Sequence, residues 1–142
     1  MIKTFRGILA DGTEDRIRLS TIKGKVGYRI VKFQIISSVP LTASGEQMAK
    51  IFLTSQSSIT NTVDFSESDL LGVALFIHND NYSNTQTHII FDTEVFNQDI
   101  YISYASDAGS NPCNYYIELE VISLTDMGAE YTTLKDIRSE KQ

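Results

Sequence analysis

Alternation of apolar and polar residues dominates this chain. Tyr115, Ile117, Leu119 and Val121 share one parity, and Tyr116, Glu118 and Glu120 the other. That segment reads as a half-buried strand with its carboxylates in solvent. Gly27 to Ser37 reads as a longer strand. Val31, Phe33 and Ile35 share a parity there, with Arg29 ahead of them, while Tyr28 and Ile30 point the other way beside Lys32 and Gln34. One face of that strand is core. The other is mixed, which suits a face lying against another element or another subunit.

Lys3 to Ala10 and Arg16 to Ser20 read as a hairpin about Asp11-Gly12, because Asp-Gly supplies the positive backbone angles of a tight turn. Met48 to Ser55 reads as a strand with Ile51 and Leu53 opposed to Lys50 and Phe52. Leu70 to His78 is almost continuously apolar and fits a buried strand or a short helix capped by Ser66 or Ser68; periodicity alone does not choose. Thr87 to Asp92 and Asp99 to Tyr104 complete the strands, with a corner at 93–98 between them. Asn79 to Thr87 and Ser106 to Asn111 have the Asn, Ser and Gly content of exposed loops.

About eight strands at these spacings predict an all-β domain, an antiparallel β-sandwich of jelly-roll-like form, over residues 1–128. The tail, 129–142, differs. Leu134 and Ile137 lie three apart among Lys135, Asp136, Arg138, Glu140 and Lys141, the pattern of a short amphipathic helix or arm. It is too short to be stable alone and must dock, on its own sandwich or on a neighbouring subunit.

Composition narrows the options. The 142 residues are 42% hydrophobic, enough for one core. The formal net charge of −6 disfavours direct nucleic-acid binding. Arg16, Arg18, Lys23, Lys25, Arg29 and Lys32 form local basic stretches, read as solvated faces or as a patch that meets an acidic protein. Cys113 is the single cysteine, so no intrachain disulfide is available, and it reads as a small buried filler. The N-terminal segment has no signal-like apolar region, and no run has the length of a membrane span. Synthesis in a cytoplasm, without a membrane partner, is the expectation.

The chemistry-bearing residues do not assemble into a known motif. His78 and His88 are ten residues apart, not in a zinc-ligand spacing. No nucleophile elbow, Walker loop or dinucleotide fingerprint occurs. Asp92, Glu94 and Asp99 form one carboxylate cluster, and Asp64, Glu67 and Asp69 another. Either could hold calcium or serve a glycoside-cleaving pair. A carbohydrate-binding or hydrolytic sandwich would line a cleft with Tyr82, Tyr101 or Tyr104 beside Asp92 and Asp99. The expectation is nonetheless a protein without catalytic residues, metal ligands or cofactor.

The order of segments adds a resemblance. Thr4-Phe5-Arg6-Gly7 precedes Ala10-Asp11-Gly12, then Ile17-Arg18-Leu19-Ser20-Thr21 and Gly27-Tyr28-Arg29-Ile30-Val31-Lys32-Phe33. Thr54-Ser55-Gln56-Ser57-Ser58-Ile59, Ile90-Phe91-Asp92 and Phe96-Asn97-Gln98-Asp99-Ile100-Tyr101 follow. The last are Cys113-Asn114-Tyr115-Tyr116-Ile117-Glu118-Leu119-Glu120 and Thr133-Leu134-Lys135-Asp136-Ile137-Arg138. Over most of its length the chain resembles small virion structural proteins encoded by marine bacteriophages. The resemblance implies a virion component without saying which; the expectation is a capsid decoration or cement protein, made in the host cytoplasm and carried in the virion. Its partner would be the major capsid protein or another virion protein, and it would form a trimer or other symmetric homo-oligomer. A vertex (penton), minor capsid or tail or fibre-base subunit is the alternative. The positions expected to meet a partner are Ile2, Phe5 and Arg6 at the N-terminus, Tyr28, Arg29 and Lys32 on the mixed face, and Tyr131, Leu134, Ile137 and Arg138 in the tail.

Overall fold

A computed structural model describes residues 1–19, 25–41, 45–79, 82–108 and 111–123. Eight strands account for most of them: β1 (Ile2–Leu9), β2 (Glu14–Ile17), β3 (Val26–Ser37), β4 (Gly45–Phe52), β5 (Leu70–Asn79), β6 (Tyr82–Ile90), β7 (Ile100–Ala108) and β8 (Cys113–Ser123). All pairings are antiparallel. One sheet has the order β1-β8-β3, the other β2-β7-β4-β5-β6. The first strand lies beside the last and the second beside the seventh, the nesting of a jelly roll. One strand departs from it: β6 stays on β5 instead of crossing to the far side of β3. The expected antiparallel β-sandwich is therefore present. The expected arm at 129–142 and the boundary at 128 lie outside the described residues.

The inner faces of the two sheets share one core. Tyr28, Ile30, Phe33, Ile35, Ile117 and Leu119 meet Ala49, Ile51, Leu71, Ala74, Ile100, Ile102 and Tyr104, all at most 2% exposed. Each fully buried branched or aromatic side chain contributes about 1.5–3 kcal/mol of transfer free energy, so this layer is what sets the sheets face to face. A β-bulge helps to fill it. The β3–β8 register shifts between Ile30 and Lys32, which inserts Val31 as an extra residue. Tyr28, Ile30, Phe33 and Ile35 then all point inward, and Arg29, Lys32, Gln34 and Ile36 point outward. Uninterrupted alternation would put the two halves of the strand on opposite faces.

Two sequence expectations are corrected and one open choice is resolved. Asp11-Gly12 does not close a hairpin: β1 pairs with β8 and β2 with β7, and the turn hands the chain between sheets. Gly12 still has the positive φ, 74°, and its N–H donates to the Tyr104 carbonyl at 3.0 Å. Most of 79–87 is not a loop, because β6 begins at Tyr82 and its Gln86 and Thr87 pair with Phe76 and Leu75 of β5. Leu70–His78 resolves as strand.

The outer face of the five-stranded sheet is not left in water. Met48, Phe52, Leu70 and Val73 form a second buried cluster there, joined by Leu75 and Phe91. The long connection 53–69 folds back over it. Thr54 Oγ1 donates to Asp69 Oδ2 at 2.7 Å, Gln56 N to Glu14 Oε2 at 2.9 Å, and Lys50 Nζ to the Thr62 carbonyl at 2.8 Å. Lys50 is consequently only 6% exposed, and burial lowers its pKa.

Gly7 has a steric role in the other sheet. A Cβ built there would sit 2.7 Å from the Tyr115 hydroxyl, so glycine is what lets that ring pass beneath β1. Gly7→Ala should cost about 1–3 kcal/mol in urea unfolding, as overpacking does. In a Tyr115→Ala background the same substitution should cost much less, because the atom it strikes is gone.

Candidate functional site

The face of the three-stranded sheet that points away from the core is uncovered among the described residues. Its rows follow from the register. Ile2, Glu120 and Arg29 lie side by side, then Thr4, Glu118 and Lys32, then Arg6, Tyr116 and Gln34, then Ile8, Asn114 and Ile36. β8 supplies the middle of every row because its even residues all point outward.

Polar contacts organise the middle of this face. Arg29 Nε donates to Glu120 Oε2 at 2.7 Å. The Tyr116 hydroxyl donates to Glu118 Oε2 at 2.9 Å, which raises the phenol pKa. Lys32 Nζ stands 6.0 Å from the Tyr116 ring centroid, within cation–π range. Arg6 makes no ion pair among the described residues. The face therefore sets three cations against two carboxylates in a chain whose net charge is −6. Exposed Ile2, Ile8 and Ile36 frame it with apolar surface, at 48%, 55% and 45% exposure.

Of the ten expected partner-contact residues, Ile2, Arg6, Arg29 and Lys32 come together here. Tyr28 does not. It is 1% exposed, its ring packs 6.3 Å from that of Phe96, and its backbone exchanges two hydrogen bonds with Phe96. The bulge at Val31 is the reason, since it puts Tyr28 on the core side. Phe5 also faces inward and packs against the core at the sheet edge. Tyr131, Leu134, Ile137 and Arg138 lie outside the described residues. Gln34 is there too, as its place beside Lys32 on the mixed face implied, while Tyr116, Ile8 and Ile36 join the face without having been expected there. For Tyr116 the signal was available: it shares a parity with Glu118 and Glu120.

Three of the six clustered carboxylates hold local structure. Asp99 accepts from Arg16 Nε at 2.7 Å and from the Leu19 N–H at 2.8 Å. Asp64 accepts from the Ser66 N–H and hydroxyl, which lowers its pKa, and Asp69 holds Thr54 and Gln56. Of the tyrosines suggested for a cleft, Tyr104 is wholly buried in the core, and Tyr101 lies on the opposite face of β7. Among the described residues, no three His, Cys, Asp or Glu side chains converge on a metal-sized site. His88 is exposed on β6, whereas His78 is 4% exposed beside Phe76.

A small groove of about 200 Å³ lies where the 53–69 connection meets the outer face of the five-stranded sheet. Met48, Leu75, Ile77 and Ala105 form its floor, with Glu46, Asn61 and Asp107 at the rim. At one end of the core, buried polar groups gather. The Tyr104 hydroxyl donates to the Asn111 carbonyl at 2.7 Å, and Gln47 Nε2 donates to the same carbonyl and to Ser37 Oγ. Cys113 lies 2% exposed near this end. Burial pushes its thiol, and the Tyr104 phenol, up to about 12. A thiol so protonated is a poor nucleophile.

The chain matches no protein-family model and no curated protein.

Raised pKa values mean that the folded state keeps protons the unfolded chain releases, so this stabilisation is complete at neutral pH and is lost on going alkaline. Unfolding free energy should fall as pH rises from about 9 towards 12, the interval between the ordinary Cys113 value and its value in the fold. Cys113→Ala should show a shallower fall in denaturant melts across that interval. An unchanged slope would count against the burial of the thiol.

Proposed function

We propose that this chain is a bacteriophage virion structural protein, a decoration or cement protein that binds the major capsid protein lattice. The observation that carries the reading is the shared, uncovered sheet face bearing Ile2, Arg6, Arg29 and Lys32. Four positions read from sequence as partner contacts come from two strands on either side of β8 and fall on one surface. A flat face with apolar ends and a small cationic excess suits an extended protein surface carrying carboxylates. The resemblance to marine phage virion proteins supplies the kind of partner. As a sandwich whose three-stranded sheet is uncovered among the described residues, the chain can tile a shell.

In the second reading the same face seats the protein at a capsid vertex or tail base. The two differ in stoichiometry, so copy number per particle separates them: a lattice clamp is abundant, a vertex or tail subunit scarce.

Cosedimentation with undecorated shells tests the docking face. An Arg6→Glu, Lys32→Glu double variant should keep its β-sheet circular dichroism and lose at least tenfold in shell affinity, since it places like charges against the partner. Binding at full affinity would exclude this face. Removal of residues 129–142 should weaken attachment without unfolding the sandwich. If the truncated chain decorates shells as tightly as the intact one, the tail has no part in docking.

A further inference from the structure

The sandwich has four strand edges, β1 and β3 in the smaller sheet and β2 and β6 in the larger. On β3, the outer edge gives both backbone bonds of Tyr28 to Phe96, at 2.7 and 2.9 Å, and its Ile35 carbonyl accepts from Gln86 Nε2 of β6 at 3.0 Å. The edges of β3 and β6 thus lie near one another and are bridged by the chain itself. β2 is only four residues long. β6 is nine residues long, but its pairing with β5 shifts register between Ile77 and Asn79, whereas β1 is eight residues paired with β8 without a shift. Long regular edges of this kind are usually blunted by a bulge, a proline or a charge. β1 has neither bulge nor proline.

Its free backbone groups can be identified. The Val121 N–H donates to the Met1 carbonyl, so odd residues of β1 spend their N–H and C=O on β8. The groups of Ile2, Thr4, Arg6 and Ile8 then point away from the sheet, and no described backbone group meets them.

We propose that β1 is a self-association edge, pairing antiparallel with β1 of a second copy about a twofold axis at Phe5. This register satisfies the free groups of all four even residues. It sets Ile2 opposite the second copy's Ile8 and Thr4 opposite its Arg6 on the outward face. On the inward face it sets Phe5 against Phe5. Lys3, the charge that could block the edge, comes opposite Gly7, which presents no side chain. Shifting the axis to Arg6 would set two guanidiniums face to face, and shifting it to Thr4 would oppose Ile2 to Arg6. The favoured register is self-complementary, as a twofold interface must be. It joins two three-stranded sheets into one of six and doubles the outward face. The pairing does not rest on the virion reading, because the isolated protein should show it in buffer.

Sedimentation of the purified full chain tests this, with expected association to twice the monomer mass of 15.9 kDa. Thr4→Pro removes an N–H that β8 does not use, so the fold should persist while dimerisation weakens at least tenfold. Phe5→Cys should form an intermolecular disulfide on mild oxidation, because Phe5 faces itself in a close, non-hydrogen-bonded pair. Wild-type protein, with Cys113 buried, should not cross-link, and neither should Thr4→Cys. A chain that stays monomeric at its solubility limit, or dimers unaffected by Thr4→Pro, would overturn the proposal. Cross-linking by Thr4→Cys in place of Phe5→Cys would overturn the register.

Discussion

The double constraint on β8 is what the smaller sheet depends on. Its odd residues, from Cys113 to Leu119, put their side chains at 9% exposure or less, and its even residues point outward. The same parity divides its backbone. Odd residues bond β1, so even residues bond β3. One alternating strand therefore fixes which side chains of both neighbours enter the core, which form the outward face, and which backbone groups of β1 are left over. Burial of Ile117 and Leu119 makes a one-residue slip prohibitive, because a slip would carry the whole apolar set into water.

How much of this was legible depends on whether the determining interaction is local. The alternation on β8 was plain, as its two faces differ sharply in chemistry. β3 was half legible. Its bulge lies at Val31, a good strand former that gives no local sign of being an extra residue, so Tyr28 was assigned to the wrong face. The bulge is needed because Tyr28, Ile30, Phe33 and Ile35 all have core partners, and those partners come from distant segments. Asp11-Gly12 was legible as a turn but not as a corner. Turn chemistry fixes the backbone angles, whereas the choice between hairpin and crossing is made by β7 and β8, about ninety residues on.

Polar composition is a poor guide to surroundings in two places, for a shared reason. Residues 79–87 look like a loop, yet most are strand, because β6 sits at a sheet margin where Gln86, Thr87 and His88 remain exposed and little hydrophobicity is needed. Lys50 looks solvated, yet is buried, because 53–69 returns over it and supplies the Thr62 carbonyl. In both cases what surrounds the side chain is set by topology and not by its neighbours in sequence. The carboxylates make the same point: Asp69, Asp99 and Glu14 are read more simply as pins for backbone and hydroxyl groups than as chemistry, once their partners are known.

The departure of β6 from jelly-roll order connects these observations to assembly. With β6 retained on β5, the smaller sheet has three strands and the larger five, so the sheets cannot shield each other evenly. On the β3 side the imbalance is absorbed within the chain, by Phe96 and by Gln86 reaching Ile35. On the β1 side no described segment does so, and β2 spans four residues beneath an eight-residue edge. The proposed pairing would complete the three-stranded sheet at that open margin with a second copy. Widening it through β1 adds hydrogen bonds without altering a core contact, and it extends the rows of Arg6, Arg29 and Lys32 across a second copy. Under the proposed pairing, the missing fourth strand and the outward face become parts of one arrangement, because a sheet too narrow for the sandwich is widened into a surface spanning two copies.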